Sequence, residues 1–174
     1  MSIAKFYKVS FEQFKKDWLD TLPTSKTEWT DSELKVLYNK IQIPTRSTKY
    51  SAGYDFKAYF PFELKVGETI KIPSGIRVQI DKDWFLAIVP RSGQGFKFRV
   101  QLDNTVGVID SDYFGATNEG HMFVKLTNDG KQGKTMSVNE NDGFAQGIFL
   151  PYGLAEESVV TNERVGVFGS KTTK

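Results

Sequence analysis

The chain has 174 residues and a formal net charge of +2, and charged residues make up 25% of the sequence. This length suits a single domain, 1–174, and the ordinary globular composition suggests neither disorder nor a coiled coil. There is no cysteine and one histidine, which excludes thiol nucleophiles, disulfide scaffolds and Cys/His zinc sites within one subunit. No apolar run approaches the ~18 residues that a membrane span needs, so we expect a cytoplasmic protein with no membrane contact. The net charge is too small to imply a broad nucleic-acid surface, so we expect no direct nucleic-acid binding.

The first forty residues predict a short strand followed by two helices. Residues 3–8 favour the strand, after which apolar residues recur at helical spacing. Each helix has a predicted capping box at its start: Ser10 with Gln13, and Thr30 with Glu33. We expect Pro23 to end the first helix. The segment 9–40 is therefore predicted to be a helical N-terminal elaboration.

From residue 41 onward, short β-rich runs alternate with turn residues. The runs are DFKAYF, TIKIP, IRVQI, WFLAIV, KFRVQL, HMFVKLT and FAQGIFLP. This pattern predicts an all-β domain of the sandwich, jelly-roll or barrel type. The last stretch, 163–174, is rich in Gly, Ser, Thr and Lys, so we expect a flexible C-terminal arm.

Five segments contain residue types that suit a catalytic or binding site. In chain order they are AGYDF, PRSGQG, DNTVGVIDSDYFG, DGFAQGIFLP and ERVGVFGSKT. In PRSGQG, the glycines leave backbone N–H groups able to approach an anion, and Arg91 supplies positive charge. Taken one at a time, each segment also has an ordinary explanation as a turn, a strand end, a buried strand or a tail.

The third segment is the most informative of the five. Asn104 and Gly107 bracket a predicted tight β-hairpin. Asp110 and Asp112 are predicted to lie on a strand with their side chains facing the same way, an arrangement that suits a base and a positioning group. A calcium loop is disfavoured, because Phe114 stands where a further ligand belongs.

In their order and spacing, the five segments resemble the five motifs of the trimeric dUTPase family, over roughly residues 41–172. The resemblance implies a jelly-roll β-barrel that assembles as a homotrimer, with active sites built from more than one subunit. It also implies a dUTP diphosphatase that hydrolyses dUTP to dUMP and pyrophosphate with Mg²⁺. Such an enzyme limits uracil incorporation into DNA and supplies dUMP for thymidylate synthesis.

The resemblance assigns a role to individual residues. Asp110 would be the general base that takes a proton from the attacking water, and Asp55 would orient water bound to Mg²⁺. The uracil and the deoxyribose would be contacted by Asn104, Gly107, Tyr113 and Phe168. The phosphates would be held by Arg91, Ser92, Gly93, Gln146, Arg164 and Ser170.

The sequence departs from the family pattern in several places. Gly143 stands where many members carry an arginine, which implies that one ion pair or phosphate contact is missing. Arg164 lies one residue closer to Phe168 than the corresponding arginine of many relatives, and Val167 and Lys171 also change the usual arm.

A longer loop, FGATNEGH, follows Tyr113. The resemblance assigns no role to its Glu119, and we expect its His121 to be structural rather than catalytic.

Two other functions are compatible with parts of the sequence. A dCTP deaminase shares the fold and a phosphate loop, but GVIDSDY argues against it because a deaminase does not need a uracil-reading hairpin. A regulatory trimer would instead dock a protein partner such as a repressor, with the N-terminal helices offering the surface.

Overall fold

The computed structural model describes residues 2–21 and 28–156, and these form a β-rich body with a layer of helices at its N-terminal side. The strands are β1 (Ala4–Lys8), β2 (Thr45–Arg46), β3 (Tyr54–Lys57), β4 (Phe62–Leu64), β5 (Thr69–Pro73), β6 (Ile76–Ile80), β7 (Trp84–Val89), β8 (Val100–Leu102), β9 (Gly107–Ile109), β10 (Phe123–Asn128), β11 (Met136–Val138) and β12 (Gly143–Pro151). The helices are α1 (Phe11–Thr21), α2 (Asp31–Lys40) and α3 (Ser92–Phe98), and a 3-10 turn covers Asp112–Gly115. None of the described helices is long and apolar enough to cross a membrane.

The strands pair antiparallel in four sheets. Their orders are β1-β6, β5-β10-β8, β11-β4 and β2-β3-β12-β7-β9. The prediction of a β-rich domain is confirmed, but within residues 2–21 and 28–156 no sheet closes into a barrel. The five-stranded sheet positions the candidate site, because β3, β9 and β12 carry residues of predicted motifs and β7 leads into another.

Most of the long predicted strands are confirmed, and the errors have local causes. The run KFRVQL was predicted as one strand, yet Lys97 and Phe98 belong to α3. Arg99 then adopts a left-handed conformation with φ 52°, and this ends the helix before β8 begins. The strand predicted over DFKAYF stops at Lys57. The sequence reasoning missed the short strands β2, β4 and β11.

The predicted third-segment geometry is wrong in two respects. Strand β9 ends at Ile109, so Asp110 and Asp112 do not lie on a strand: Asp112 instead opens the 3-10 turn. Strands β8 and β9 pair with β10 and β7 respectively, in different sheets, so the turn between them is not a simple hairpin. The turn itself is tight, with Thr105 at φ 66°.

The helical layer packs against the β-rich body through a large apolar face. Phe14, Trp18 and Leu34 are at most 2% exposed. The capping box predicted for α2 is present, with Thr30 and Glu33 bonded reciprocally. That of α1 is half formed, because the Ser10 hydroxyl accepts from the Gln13 N–H at 3.1 Å while the Gln13 side chain bonds elsewhere. Pro23, predicted to end α1, lies outside the described residues.

Candidate active site

Three residues from separate predicted motifs meet at one end of the five-stranded sheet. Asp55 on β3 pairs in register with Gln146 on β12, and β12 pairs in turn with β7, which leads to Arg91. The Arg91 Nε lies 3.1 Å from the Asp55 Oδ1, and the Gln146 amide donates to the Pro90 carbonyl at 3.2 Å. The sheet thus brings a carboxylate, a guanidinium and an amide together from distant parts of the chain.

The PRSGQG segment forms the first turn of a helix where a loop was predicted. Proline has no N–H to continue a strand ladder, and β7 ends at Val89, just before Pro90. Helix α3 begins at Ser92, and Ser92 and Gly93 lie exposed in its first turn. Sequence reasoning missed Gln94, whose amide donates to the Gly143 carbonyl at 3.0 Å. The position of Gln94 inside the predicted PRSGQG motif is the sequence feature that could have identified it as a site residue.

The Arg91 side chain occupies the space next to Gly143. A Cβ atom on Gly143 would lie 2.8 Å from the Arg91 Nη1 and 3.0 Å from its Cδ and Cζ. The Arg91 Nη1 also donates to the Gly143 carbonyl at 3.3 Å. The Arg91 guanidinium therefore fills the space next to Gly143 while it pairs with Asp55.

Asp110 lies far from Arg91 within one chain. On β9, Ile109 pairs with Leu86 of β7 and Gly107 pairs with Ile88, so β9 runs away from the end of β7 that leads to Arg91. Asp110 follows Ile109 and is exposed. From Leu86 to Arg91 the chain advances roughly 16 Å at about 3.3 Å per residue. One chain therefore does not bring these two side chains within hydrogen-bonding reach.

The predicted uracil and sugar residues occupy different environments. Asn104 is exposed in the turn, and its carbonyl accepts from the Val106 N–H at 2.7 Å. Gly107 is buried, and a Cβ there would lie 3.2 Å from the Ile88 Cβ. Tyr113 is only 1% exposed, and its hydroxyl donates to the His121 carbonyl at 2.8 Å.

Comparison with known proteins decides the family. A sequence model described as dUTPase matches residues 39–173. The deoxyuridine 5'-triphosphate nucleotidohydrolase of Lactococcus lactis is 37% identical over 133 residues, covering 75% of this chain and 87% of that protein. The enzyme of the same name from Pectobacterium carotovorum is 39% identical over 135 residues, covering 73% of this chain and 84% of that protein. The chain belongs to the dUTPase family.

Solved structures agree with this membership. The dUTPase from Streptococcus mutans superposes with a TM-score of 0.58 at 30% identity, covering 75% of this chain and 95% of that chain. A mutant dUTPase from phage phi11 of S. aureus, described as coordinating a structural Mg(II) ion, gives 0.57 at 21% identity, covering 73% and 94%. At that identity the second likeness shows the fold alone. The dUTPase match begins at residue 39, so α1 and almost all of α2 lie outside it.

The loop that follows Tyr113 connects this dUTPase core to α1. Both Oε atoms of Glu119 accept from Ser10, one from its backbone N–H at 2.8 Å and the other from its hydroxyl at 2.6 Å. Burial works to raise the pKa of Glu119, but these hydrogen bonds and the nearby Arg77 outweigh it and hold the pKa below its usual value. His121 is fully buried, as expected of a structural histidine.

The residues present fit a magnesium ion that the substrate would carry. Within the described part of the chain, no group of three or more His, Cys, Asp or Glu residues is placed to hold a metal. One carboxylate, Asp55, lies at the Arg91 and Gln146 end of the sheet with 16% of its side chain exposed. Mg²⁺ keeps several of its waters and is commonly bound through few carboxylates together with substrate phosphates, so a single carboxylate that orients a metal-bound water fits such an ion.

The predicted arm residues Arg164, Phe168 and Ser170 lie outside the described residues. Their roles stay predictions.

Proposed function

We propose that this dUTPase-family chain hydrolyses dUTP to dUMP and pyrophosphate in sites shared between the subunits of a homotrimer. The observation that carries the proposal is the meeting of Asp55, Arg91 and Gln146, which come from three of the predicted motifs and lie within the family match. Every relative compared above is described as a dUTPase or a deoxyuridine triphosphate nucleotidohydrolase, and none as a dCTP deaminase.

The phosphate chain of the substrate would lie at the end of the sheet that carries Arg91. Its guanidinium offers several N–H donors in a fixed plane: the Nε lies next to Asp55, and the Nη1 donates to the Gly143 carbonyl. Ser92 and Gly93 are exposed in the adjacent first turn of α3, and the Gln146 amide lies on the neighbouring strand. This arrangement binds phosphate oxygens by charge and by hydrogen bonds from both backbone and side chains.

The chemical step requires Asp110 as a general base. Its carboxylate takes a proton from a water molecule, whose oxygen forms a bond to the α-phosphorus as the bond to the bridging oxygen breaks. Pyrophosphate leaves with the electron pair of the broken bond. Mg²⁺, when bound with the substrate, neutralises phosphate charge and favours the departure of pyrophosphate. Asp55 would orient its water ligands.

Selection of the substrate would fall to the turn after β8 and to the arm. Backbone groups from Asn104 to Gly107 present fixed donors and acceptors to the uracil, and a mismatched base leaves such groups unpaired. Tyr113 would lie beside the deoxyribose, which requires that substrate binding uncover part of a side chain that is 1% exposed in the chain alone. The arm would bring Phe168 over the base, with Ser170 and Arg164 near the terminal phosphate.

The separation of Asp110 from Arg91 along β7 supports the shared site. Because the two side chains lie at different ends of β7 in one chain, a single substrate reaches both only if a second subunit supplies one of them. Co-expression of Asp110→Asn and Arg91→Ala subunits tests this directly. If one site uses residues of two subunits, about a quarter of the sites in randomly mixed trimers contain both native side chains, and activity returns. Mixed oligomers as inactive as the two parents would refute the shared site.

The partner hypothesis has weaker support. Leu19 on α1 and Val36 on α2 are 50% and 57% exposed, on the outer side of a layer whose inner face is buried. Deleting residues 9–40 would uncover the core beneath Phe14. A pulldown that compares the native chain with a variant carrying Leu19→Lys and Val36→Lys is therefore the cleaner test. A partner that still binds after both substitutions would show that the outer face of the helices is not the docking surface.

A further inference from the structure

A buried polar cluster joins α1 to the loop that follows Tyr113. Asp17 lies on the buried face of α1 between apolar side chains, and its Oδ2 is 2.5 Å from the Nδ1 of His121. The Nε2 of the same ring accepts from the Gly75 backbone N–H at 2.7 Å. Because a backbone N–H only donates, Nε2 carries no proton, and the neutral ring donates from Nδ1 to Asp17. Both ring nitrogens are therefore committed.

The backbone of His121 continues this network to Tyr113. The His121 carbonyl accepts from the Tyr113 hydroxyl at 2.8 Å and from the Asn118 amide at 3.2 Å. The Asn118 amide also lies 3.0 Å from the Tyr113 oxygen, and all three residues are at most 7% exposed. The Tyr113 hydroxyl is thus bonded to a loop that Asp17 holds through the His121 ring.

Direct packing strengthens this connection. Gly120 has φ +71°, and a Cβ atom there would lie 2.6 Å from the Tyr113 carbonyl oxygen. The neighbouring Glu119 caps the start of α1 through Ser10, while Arg77 donates to the Phe114 carbonyl at 2.6 Å. Helix α1 therefore holds this loop at two points, Ser10 and Asp17.

We propose that Asp17 and His121 are positioning residues through which α1 holds the Tyr113 ring and thereby sets the preference of the site for deoxyribose over ribose. This inference rests on the proposed function, in which Tyr113 lies beside the sugar. It gives α1, which lies outside the family match, a role in the active site. Asp17 and His121 act through Tyr113 and do not themselves touch the substrate.

Two substitutions of Asp17 separate this role from simple stabilisation. Asp17→Asn keeps an oxygen that accepts from His121, whereas Asp17→Leu has a similar size and no acceptor. We expect Asp17→Leu to reduce the ratio of kcat/KM for dUTP to that for UTP by about 10- to 100-fold, the scale of an ångström-sized misplacement. Asp17→Asn should restore most of the ratio.

A matched control loosens α1 through its packing on α2. Phe11 packs on Tyr38 of α2 with ring centroids 5.7 Å apart, so Phe11→Ala weakens the helical layer elsewhere. At equal loss of thermal stability, Phe11→Ala should keep the dUTP/UTP ratio. An equal fall in Phe11→Ala and Asp17→Leu, or an unchanged ratio in Asp17→Leu, would overturn the proposal.

If Asp17→Leu does not fold, a second variant tests the same connection. Glu119→Gln at the partly exposed cap should show a smaller fall of the dUTP/UTP ratio in the same direction, and an unchanged ratio there would overturn the proposal.

A measurement independent of turnover distinguishes the two proposals. Amide hydrogen exchange over residues 113–121 should accelerate in Asp17→Leu and stay near wild type in Asp17→Asn and Phe11→Ala. If wild type hydrolyses no dUTP while exchange follows this pattern, the proposed function fails and the anchoring of Tyr113 stands. Unchanged exchange in Asp17→Leu would refute the anchoring, whatever the activity.

Discussion

Replacing Gly143 with alanine should displace the Arg91 side chain. The new Cβ would lie 2.8 Å from the Arg91 Nη1, well inside van der Waals contact. The atoms that it meets belong to the end of a flexible side chain, so the backbone can stay in place while the guanidinium moves. Such a movement lengthens the 3.1 Å contact with Asp55 and the 3.3 Å hydrogen bond to the Gly143 carbonyl.

The effect on stability should be small and the effect on catalysis larger. The Arg91 side chain is 41% exposed, and a partly exposed ion pair contributes only about 0.2–1 kcal/mol to the free energy of unfolding. A hydrogen bond from a charged group to a substrate phosphate is worth about 1.5–3 kcal/mol, so its loss lowers kcat/KM roughly 10- to 150-fold. Because Gly143→Ala moves the guanidinium without removing it, the decrease should stay below that of Arg91→Met.

A double-mutant cycle with Arg91→Met is the decisive assay. If Gly143→Ala acts through Arg91, it should lower kcat/KM for dUTP in the native background and change little when Arg91 is already methionine. Gly153→Ala is the matched control, since a Cβ at Gly153 meets no atom within 4 Å. Equal effects of Gly143→Ala in both backgrounds would refute the reasoning, as would a wild-type value in the native background.

Three further predictions concern stability. Phe14→Ala should lower the free energy of unfolding, measured by urea denaturation, by about 3–5 kcal/mol because Phe14 is fully buried. Phe96→Ala, at a 92% exposed residue, should change it by less than about 0.5 kcal/mol, and similar losses in the two variants would contradict the assigned packing. Tyr59→Phe should cost about 0.5–1.5 kcal/mol, since the buried hydroxyl donates to a backbone carbonyl at 2.6 Å, and no loss would show that this bond adds nothing. Acid should destabilise the protein through Asp17 and Glu119: burial works to raise each pKa, but hydrogen bonds to the carboxylates outweigh it and hold both below their usual 3.8 and 4.5. As pH falls, the unfolded chain therefore binds protons before the folded chain does. The stability that these two carboxylates contribute is present above their unfolded-state pKa values and is lost as pH falls through the lower folded-state values. Thermal unfolding against pH should show a shallower acid loss when both are changed to amides, and an unchanged slope would contradict the pKa shifts.

The fold was predictable where local patterns decide the structure. The alternation in TIKIP and IRVQI marks β5 and β6, the continuous apolar run WFLAIV marks β7, and the capping box at Thr30 marks the start of α2. Strands of two or three residues, such as β4 and β11, are too short for a periodic signal and exist only through pairing with each other. The open arrangement of four sheets depends on such long-range pairing, so no single segment of the sequence predicts it.

The candidate site was predictable from motif order but not in its contacts. Nothing in the sequence around Arg91 indicates that its side chain fills the space above Gly143, because that contact needs β7 and β12 to be aligned. The role of Glu119 was not predictable either, because it caps a helix that begins at residue 11, far away along the chain. The histidine was correctly expected to be structural, but its partner Asp17 was not foreseen.

Pyrophosphate release with Mg²⁺ from dUTP, dCTP, dTTP and UTP, compared in wild type and Asp110→Asn, tests the central claim most directly. The proposed function predicts turnover of dUTP in clear preference to the other three, and a loss of about 10²- to 10⁴-fold in the variant, the usual contribution of a general base. Failure of a correctly folded wild type to hydrolyse dUTP would contradict the enzymatic proposal. Full activity in Asp110→Asn would contradict the assignment of Asp110 as the base.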